Sequence, residues 1–463
     1  MPHKTRSLSR LNTTIVILAA GQGKRMHSVL PKVLQPLAGR PLLQHVVEYS
    51  RQLGAADICV VYGHGGDEVQ ARFANQELRW ALQAEQLGTG HAVMQAMPET
   101  PDENRVLILF GDVPLLRPAT LENLLNHCDS GEVAVLTVDM DNPFGYGRII
   151  RQDGAVQRNV EERDASAAEK AIMEINTGVL CAPANLLKNW LGRLSSDNAQ
   201  GEYYLTDVLG MAVSDGAVVH AVKADDQVEI MGINDKQQLA IAERALQARL
   251  VHQLMEQGVG FADPARVDIR GELTCGKDVF IDVNAVFEGQ VSLGDRTQIE
   301  SNNVIRDSII GAGSVIHSNC HIESASMGND CEIGPFARLR PGAELADKVK
   351  IGNFVEVKKS TIADGSKVSH LSYIGDATVG AGVNIGAGTI TCNYDGVNKH
   401  QTVIGNKVFI GSGTQLIAPV EIGEGATIGA GSTISKPAPA NALTLERSKQ
   451  TTILNWKPPK NKQ

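Results

Sequence analysis

The chain has 463 residues, enough for two or three domains with cores of their own, and a formal net charge of -9. That charge speaks against holding nucleic acid through an excess of Lys and Arg, and no apolar run approaches the roughly 20 residues of a membrane span. The 7 cysteines never fall in C-x-x-C spacing, which argues against a zinc site or disulfide frame and for free thiols in a reducing cytoplasm.

The leader Met1–Arg10 is basic (Lys4, Arg6, Arg10, with Ser7 and Ser9), but no secretory apolar core follows it, so it reads as an extension ahead of the first domain. From Asn12 to about Val228, short β-branched runs alternate with helical spacing. Ile15–Leu18, Ile58–Tyr62, Val106–Phe110 and Val133–Val138 read as strands; Leu42–Leu53, Thr89–Met97 and Leu121–Cys128 read as helices. Such alternation predicts an α/β fold, a Rossmann-like and mostly parallel sheet covered on both faces, with ligands beyond the C-terminal strand ends.

The first strand runs into Ala19-Ala20-Gly21-Gln22-Gly23-Lys24-Arg25-Met26, with Lys32 shortly after. Glycines there let backbone N–H groups close around phosphates, and Arg25 and Lys32 add charge. Met26 stands where a dinucleotide fingerprint needs Gly, and no Gly-Lys-Ser/Thr makes a Walker loop. Another strand ends in Gly111-Asp112, which puts a carboxylate at the sheet's ligand edge. It suits Mg²⁺, which takes oxygen ligands together with substrate phosphates, or else a plain helix cap. Asn234 offers a second oxygen, or caps the helix that follows.

Asp235 to Gly258 carries helical spacing (Leu239, Ala242, Leu246, Leu250, Leu254) and reads as an arm between two domains. Beyond it the rhythm becomes a period of six, cleanest at Ile404, Ile410, Leu416, Ile422, Ile428 and Ile434. Hexapeptide repeats mean a parallel β-helix in which each rung buries one aliphatic side chain. A polar insertion, Thr391–Gln401, interrupts the repeat, and a long loop thrown from a solenoid is usually functional. The expected organisation is residues 1–234, a linker at 235–258, and the β-helix with its tail at 259–463.

The motifs resemble one family over nearly the whole chain. They include Leu18-Ala19-Ala20-Gly21 with Arg25, the run Gln83 to Ala92, Gly145-Tyr146-Gly147-Arg148, Glu174-Ile175-Asn176-Thr177-Gly178 and Gly201-Glu202-Tyr203-Tyr204. In the second half they are Phe336 to Gly342, Asn353 to Lys359, His370 to Asp376, Asn384 to Thr389 and Asn393 to Gly396 with Lys399. Together they are similar to the bacterial bifunctional N-acetylglucosamine-1-phosphate uridyltransferase / glucosamine-1-phosphate acetyltransferases. The resemblance implies a left-handed β-helix, a homotrimer, and synthesis of UDP-N-acetylglucosamine for peptidoglycan and lipopolysaccharide.

It also implies roles. Arg25 and Lys32 would hold UTP phosphates; Leu18, Ala19, Ala20, Gly21 and Gly111 would belong to the same uridyl site; Gln83, Gly88 and Thr89 would read uracil; Gly147, Glu161, Asn176, with Tyr204 as a further candidate, would hold the sugar phosphate; Asp112 and Asn234 would bind Mg²⁺. His370 would be the general base of acetyl transfer, a task that suits imidazole. Arg340, Lys358, Tyr373, Asn384 and Lys399 would bind glucosamine 1-phosphate; Ala387, Asn393, Tyr394, Ser412, Ala430 and Arg447 would line the acetyl-CoA side. Against the family pattern, Gln22, Lys24, Phe110, Asn159 and Gly413 depart, Asn159 from an aliphatic residue. Two other readings stand beside this one: a single-activity sugar-1-phosphate nucleotidyltransferase with an inert β-helix, and a scaffold whose β-helix only builds oligomers.

Overall fold

A computed structural model describes residues 12–21, 23–63 and 65–459 of the chain. The leader Met1–Arg10 and the departure at Gln22 lie outside the described residues. Two compact units divide at Leu246 and Gln247. The division falls within one continuous helix, Lys236–Glu256, where the sequence predicts an arm.

In the first unit nine strands form one sheet: β1 (Thr13–Leu18), β2 (Asp57–Tyr62), β3 (Arg79–Leu82), β4 (Arg105–Phe110), β5 (Glu132–Asp139), β6 (Gly147–Gln152), β7 (Ala155–Val160), β8 (Glu174–Pro183) and β9 (Val218–Lys223). The main order is β9-β5-β8-β4-β1-β2-β3, with β6 pairing β8 and β7. The sheet is mostly parallel, but β8 runs antiparallel to both β4 and β5. Every residue of β1 is buried, as expected of a central strand covered on both faces, and this makes its sequence apolar almost throughout. Register sets Leu18 beside Val61 and Phe110, so three parallel strands end together. The alternation that reveals β1, β2, β4 and β5 is silent about the β6–β7 hairpin and β8, whose residues mix polar and apolar types.

The second unit is a parallel β-helix. One ladder of 11 short strands climbs from Gly260–Phe261 to Leu443–Thr444, and a 16-stranded sheet supplies the remaining faces. The period-six residues point inward: Ile404, Ile410, Leu416, Ile422, Ile428 and Ile434 are all buried in one cluster. Each such side chain contributes about 2 kcal/mol of apolar burial, so the repeat itself is the core. The insertion organises itself: Asp395 accepts from the Val397 and Asn398 backbone N–H groups and from His400 Nε2 at 2.8, 2.6 and 2.7 Å. Those donors, Asn398 foremost, hold its carboxyl well below the usual range. All seven cysteines are free thiols. Among the described residues, no helix is long and apolar enough to cross a membrane.

Candidate active sites in the two units

At the ligand edge of the first sheet, Gly111 N–H donates to Leu18 O at 2.9 Å and Ala19 N–H to Val61 O at 2.8 Å. These bonds keep the ends of β1, β2 and β4 joined while their loops open onto a cavity of about 260 Å³. Leu18, Ala19, Ala20, Gly21, Lys32, Gln83, Gly88, Thr89 and Asp112 line it, as do Val33, Gln86, Ala92, Phe110 and Glu202, to which the sequence assigned no site role. Gln83 is buried and donates through Nε2 to Gly88 O at 3.1 Å. Gly88 sits at φ 108°, and a Cβ there would lie 2.7 Å from Tyr203 O; only glycine fits. Thr89 opens the helix Thr89–Ala96 and accepts at Oγ1 from Leu205 N–H at 3.2 Å.

Lys32 ties the polar floor together. Its ammonium pairs with Asp112 Oδ2 and donates to Asn234 Oδ1 at 3.3 Å, and both charged side chains are largely shielded from solvent. Gly111 stands one residue before Asp112, tight against Ala19 and Val33. Arg25 is exposed on the short turn Lys24–Met26 and is not part of the cavity lining. Lys24 beside it is likewise exposed and outside that lining.

A second group lies on β6, β7 and β8. Gly147 faces Asn176 across the β6–β8 register, and Asn176 Oδ1 accepts from Gly178 N–H at 2.8 Å. Glu161 follows β7, and its Oε1 accepts from Asn159 Nδ2 and Thr206 Oγ1, both at 2.8 Å. Tyr204 is buried nearby in sequence, and the neighbouring Asp207 carboxyl is pushed up to about 6 by burial and by Glu161 and Asp164. Gly147, Glu161, Asn176 and Tyr204 do not line the 260 Å³ cavity. The sequence reading missed Thr206 and the Asn159 bond, for which only the departure at Asn159 was a signal.

In the β-helix, His370 ends the strand Lys367–His370, exposed, with Nδ1 2.7 Å from Asn353 Oδ1 one rung below. Since an amide oxygen only accepts, that contact calls for a proton on Nδ1, and in the neutral ring the Nε2 lone pair is then free. Both residues line a cavity of about 590 Å³. Asn353 belongs to a quoted motif but received no role from the sequence. Arg340 pairs with Glu356 at 2.7 Å, Tyr373 stands opposite Glu356 one rung on, and Asn384 stands opposite Lys367. Lys399, brought back by its bridge to Tyr394, lies beside Lys358 and holds that amine below its ordinary value. Asn393 donates to the Asp376 carboxylate.

Ala387, Ser412 and Ala430 occupy successive rungs: Gly413 N–H donates to Ala387 O at 2.7 Å, and Gly431 N–H to Ser412 O at 2.8 Å. Gly388 N–H is shared between Leu371 O at 3.1 Å and His370 O at 3.4 Å, so this column starts at the histidine, and the Arg447 side chain lies near Gly431 at its far end. At roughly 4.8 Å per strand the column from His370 to Ala430 spans about 14 Å.

Comparison with known proteins agrees with both units. Residues 15–194 match the MobA-like NTP transferase domain, and residues 401–436 match the bacterial transferase hexapeptide of six repeats. The chain is 57% identical over 445 residues to the bifunctional protein GlmU of Janthinobacterium sp. (strain Marseille), covering 96% of this chain and 98% of that protein. It is also 57% identical over 446 residues to GlmU of Azoarcus sp. (strain BH72), covering 96% and 99%. A nucleotidyltransferase unit and a bacterial-transferase hexapeptide unit in one chain make this a two-domain transferase. The chain belongs to the bifunctional GlmU family. It is a UDP-N-acetylglucosamine pyrophosphorylase and a glucosamine-1-phosphate acetyltransferase, and the single-activity alternative is not favoured.

Proposed function

We propose that the cavity at the ends of β1, β2 and β4 holds UTP, and that the convergence of Lys32 on Asp112 and Asn234 marks where its triphosphate charge is neutralised. Leu18 to Gly21 and Gly111 supply backbone against the phosphates; Gln83, Gly88 and Thr89 meet the base; Gly147, Glu161, Asn176 and Tyr204 receive N-acetylglucosamine 1-phosphate. The sugar phosphate oxygen attacks the α-phosphorus, the bond to the β-phosphate oxygen breaks, and pyrophosphate leaves. No protein nucleophile is needed, only alignment and charge. Arg25, exposed at the loop, moves onto the phosphates when they bind.

Asp112 and Asn234 fit Mg²⁺. Their oxygens already meet at one cationic centre, the Lys32 ammonium, and two protein oxygens with phosphates and water are the donors this ion takes. When bound, Mg²⁺ supplies charge neutralisation at the phosphates. Lys32 is then released from Asp112 to the triphosphate.

In the β-helix, His370 Nε2 takes a proton from the glucosamine amine as its nitrogen attacks the acetyl-CoA thioester carbonyl. The carbon–sulfur bond breaks and the CoA thiolate recovers the proton. Arg340, Lys358 and Lys399 hold the phosphate of glucosamine 1-phosphate, with Tyr373 and Asn384 at the sugar. The column Ala387, Ser412, Ala430 and Arg447, with Asn393 and Tyr394, receives the extended arm of acetyl-CoA. The protein works in the cytoplasm as a homotrimer packed along its β-helices. Supplying glucosamine 1-phosphate, acetyl-CoA, UTP and Mg²⁺ to the purified chain tests the whole scheme: UDP-N-acetylglucosamine should form. Omitting Mg²⁺ should stop the sequence at N-acetylglucosamine 1-phosphate. Sedimentation should give three chains per particle.

A further inference from the structure

Asn159 and Glu161 stand two residues apart at the end of β7, so their side chains share one face of the hairpin. On the neighbouring strand Gly147 leaves a gap on that face: a Cβ there would fall 2.4 Å from Asn159 Oδ1. The Asn159 amide fills the gap and is almost fully buried, 8% exposed. A carboxylate only accepts, so the amide must turn its NH₂ to Glu161, as the 2.8 Å Nδ2 to Oε1 bond shows. Its other atom, Oδ1, is then buried with no partner among the described residues.

An unpartnered buried carbonyl is destabilising, and a valine here would pack against Ile149, its register partner, without leaving one. A local feature that costs stability while bonding a ligand-facing group is the signature of function. Glu161 shows what is gained. Asn159 and Thr206 clamp Oε1 from two directions, and Oε2 carries no bond among the described residues.

Resting on the assignment of Glu161 to the sugar-phosphate subsite, we propose that Asn159 is a positioning residue of uridyl transfer: it fixes Glu161 so that Oε2 is presented to an N–H or O–H donor of the sugar phosphate. The carboxylate arrives pre-oriented, so less rotamer freedom is lost on binding.

The test compares Asn159→Val, Asn159→Asp and Glu161→Gln in the full-length enzyme. Asn159→Val should raise the KM for N-acetylglucosamine 1-phosphate roughly tenfold, with kcat and the KM for UTP nearly unchanged. Its Tm should be equal to or above that of the parent, the opposite of what loss of a purely structural residue gives. Asn159→Asp keeps the shape but sets two carboxylates together, and should raise the same KM even if the valine variant folds poorly. If Glu161→Gln raises this KM while both Asn159 variants leave it unchanged, the proposal is overturned and the subsite stands. If Glu161→Gln also leaves it unchanged, the assignment of Glu161 falls and the proposal falls with it.

Discussion

Lys32 places its ammonium on the carboxylate of Asp112, 80 residues later in the chain, and shares it with Asn234 Oδ1 at 3.3 Å. A carboxylate with this little solvent contact requires a cation nearby, and Lys32 supplies one until phosphates and Mg²⁺ arrive. Asp112→Ala should therefore lower uridyl transfer roughly a hundredfold or more, because the triphosphate charge is left uncompensated. Acetyl transfer, followed as CoA release, should be unchanged. Asn234→Ala should raise the Mg²⁺ concentration needed for half-maximal uridyl transfer.

At the other centre the imidazole and its partner separate chemistry from positioning. His370→Ala should abolish acetylation and spare uridyl transfer. Asn353→Ala leaves the base in place but frees its ring and tautomer, since the 2.7 Å contact at Nδ1 is lost. The expected result is a kcat lowered roughly tenfold with little change in either KM, measured with glucosamine 1-phosphate and acetyl-CoA.

The Lys358 amine is held below its ordinary value, first by Lys399 and then by desolvation and Arg340. The protonated form that binds phosphate is thus lost at lower pH than for an isolated lysine. The KM for glucosamine 1-phosphate should rise as pH increases into the alkaline range. Lys399→Met should weaken binding at neutral pH and move that rise to higher pH, because the repulsion on Lys358 is gone. A KM profile whose alkaline limb does not move in this variant contradicts the pairing.

Asp207, half-buried beside Glu161 and Asp164, has its carboxyl pushed up to about 6. The folded value lies above the unfolded one of about 3.9, so the folded state binds the proton more tightly. Its contribution to stability is complete below about pH 4 and is lost as pH rises through about 6. Asp207→Asn should stabilise the first unit at neutral pH by about 1 kcal/mol, allowing for solvent screening, and give no gain in acid. Thermal unfolding at the two pH values checks both the sign and the window.

Much of the fold is legible in the chain because its two periodicities are local. β1 reads as a strand since all its side chains enter the core, and Ile404 to Ile434 read as rungs since one residue in six must be buried. The β6–β7 hairpin is not legible. Its strands are short, its faces mixed, and Gly147 is explained only by the Asn159 amide lying across it. The antiparallel course of β8 is equally hidden, because Ile175 and Leu180 look alike in either direction.

By itself, then, the amino-acid order determines where strands, rungs and glycine loops form, and which residues can carry charge, protons or phosphate. It contains Lys32, Asp112, Asn234 and His370 as candidates of the right chemistry, without their contacts. Only the tertiary structure decides that Lys32 bridges residues 80 and 202 positions away, that His370 Nδ1 meets Asn353 Oδ1, and that Asn159 clamps Glu161. The physical reason is range: burial and turn preferences act over a few residues, whereas these contacts are set by strand register and rung stacking, which bring distant segments within hydrogen-bonding distance.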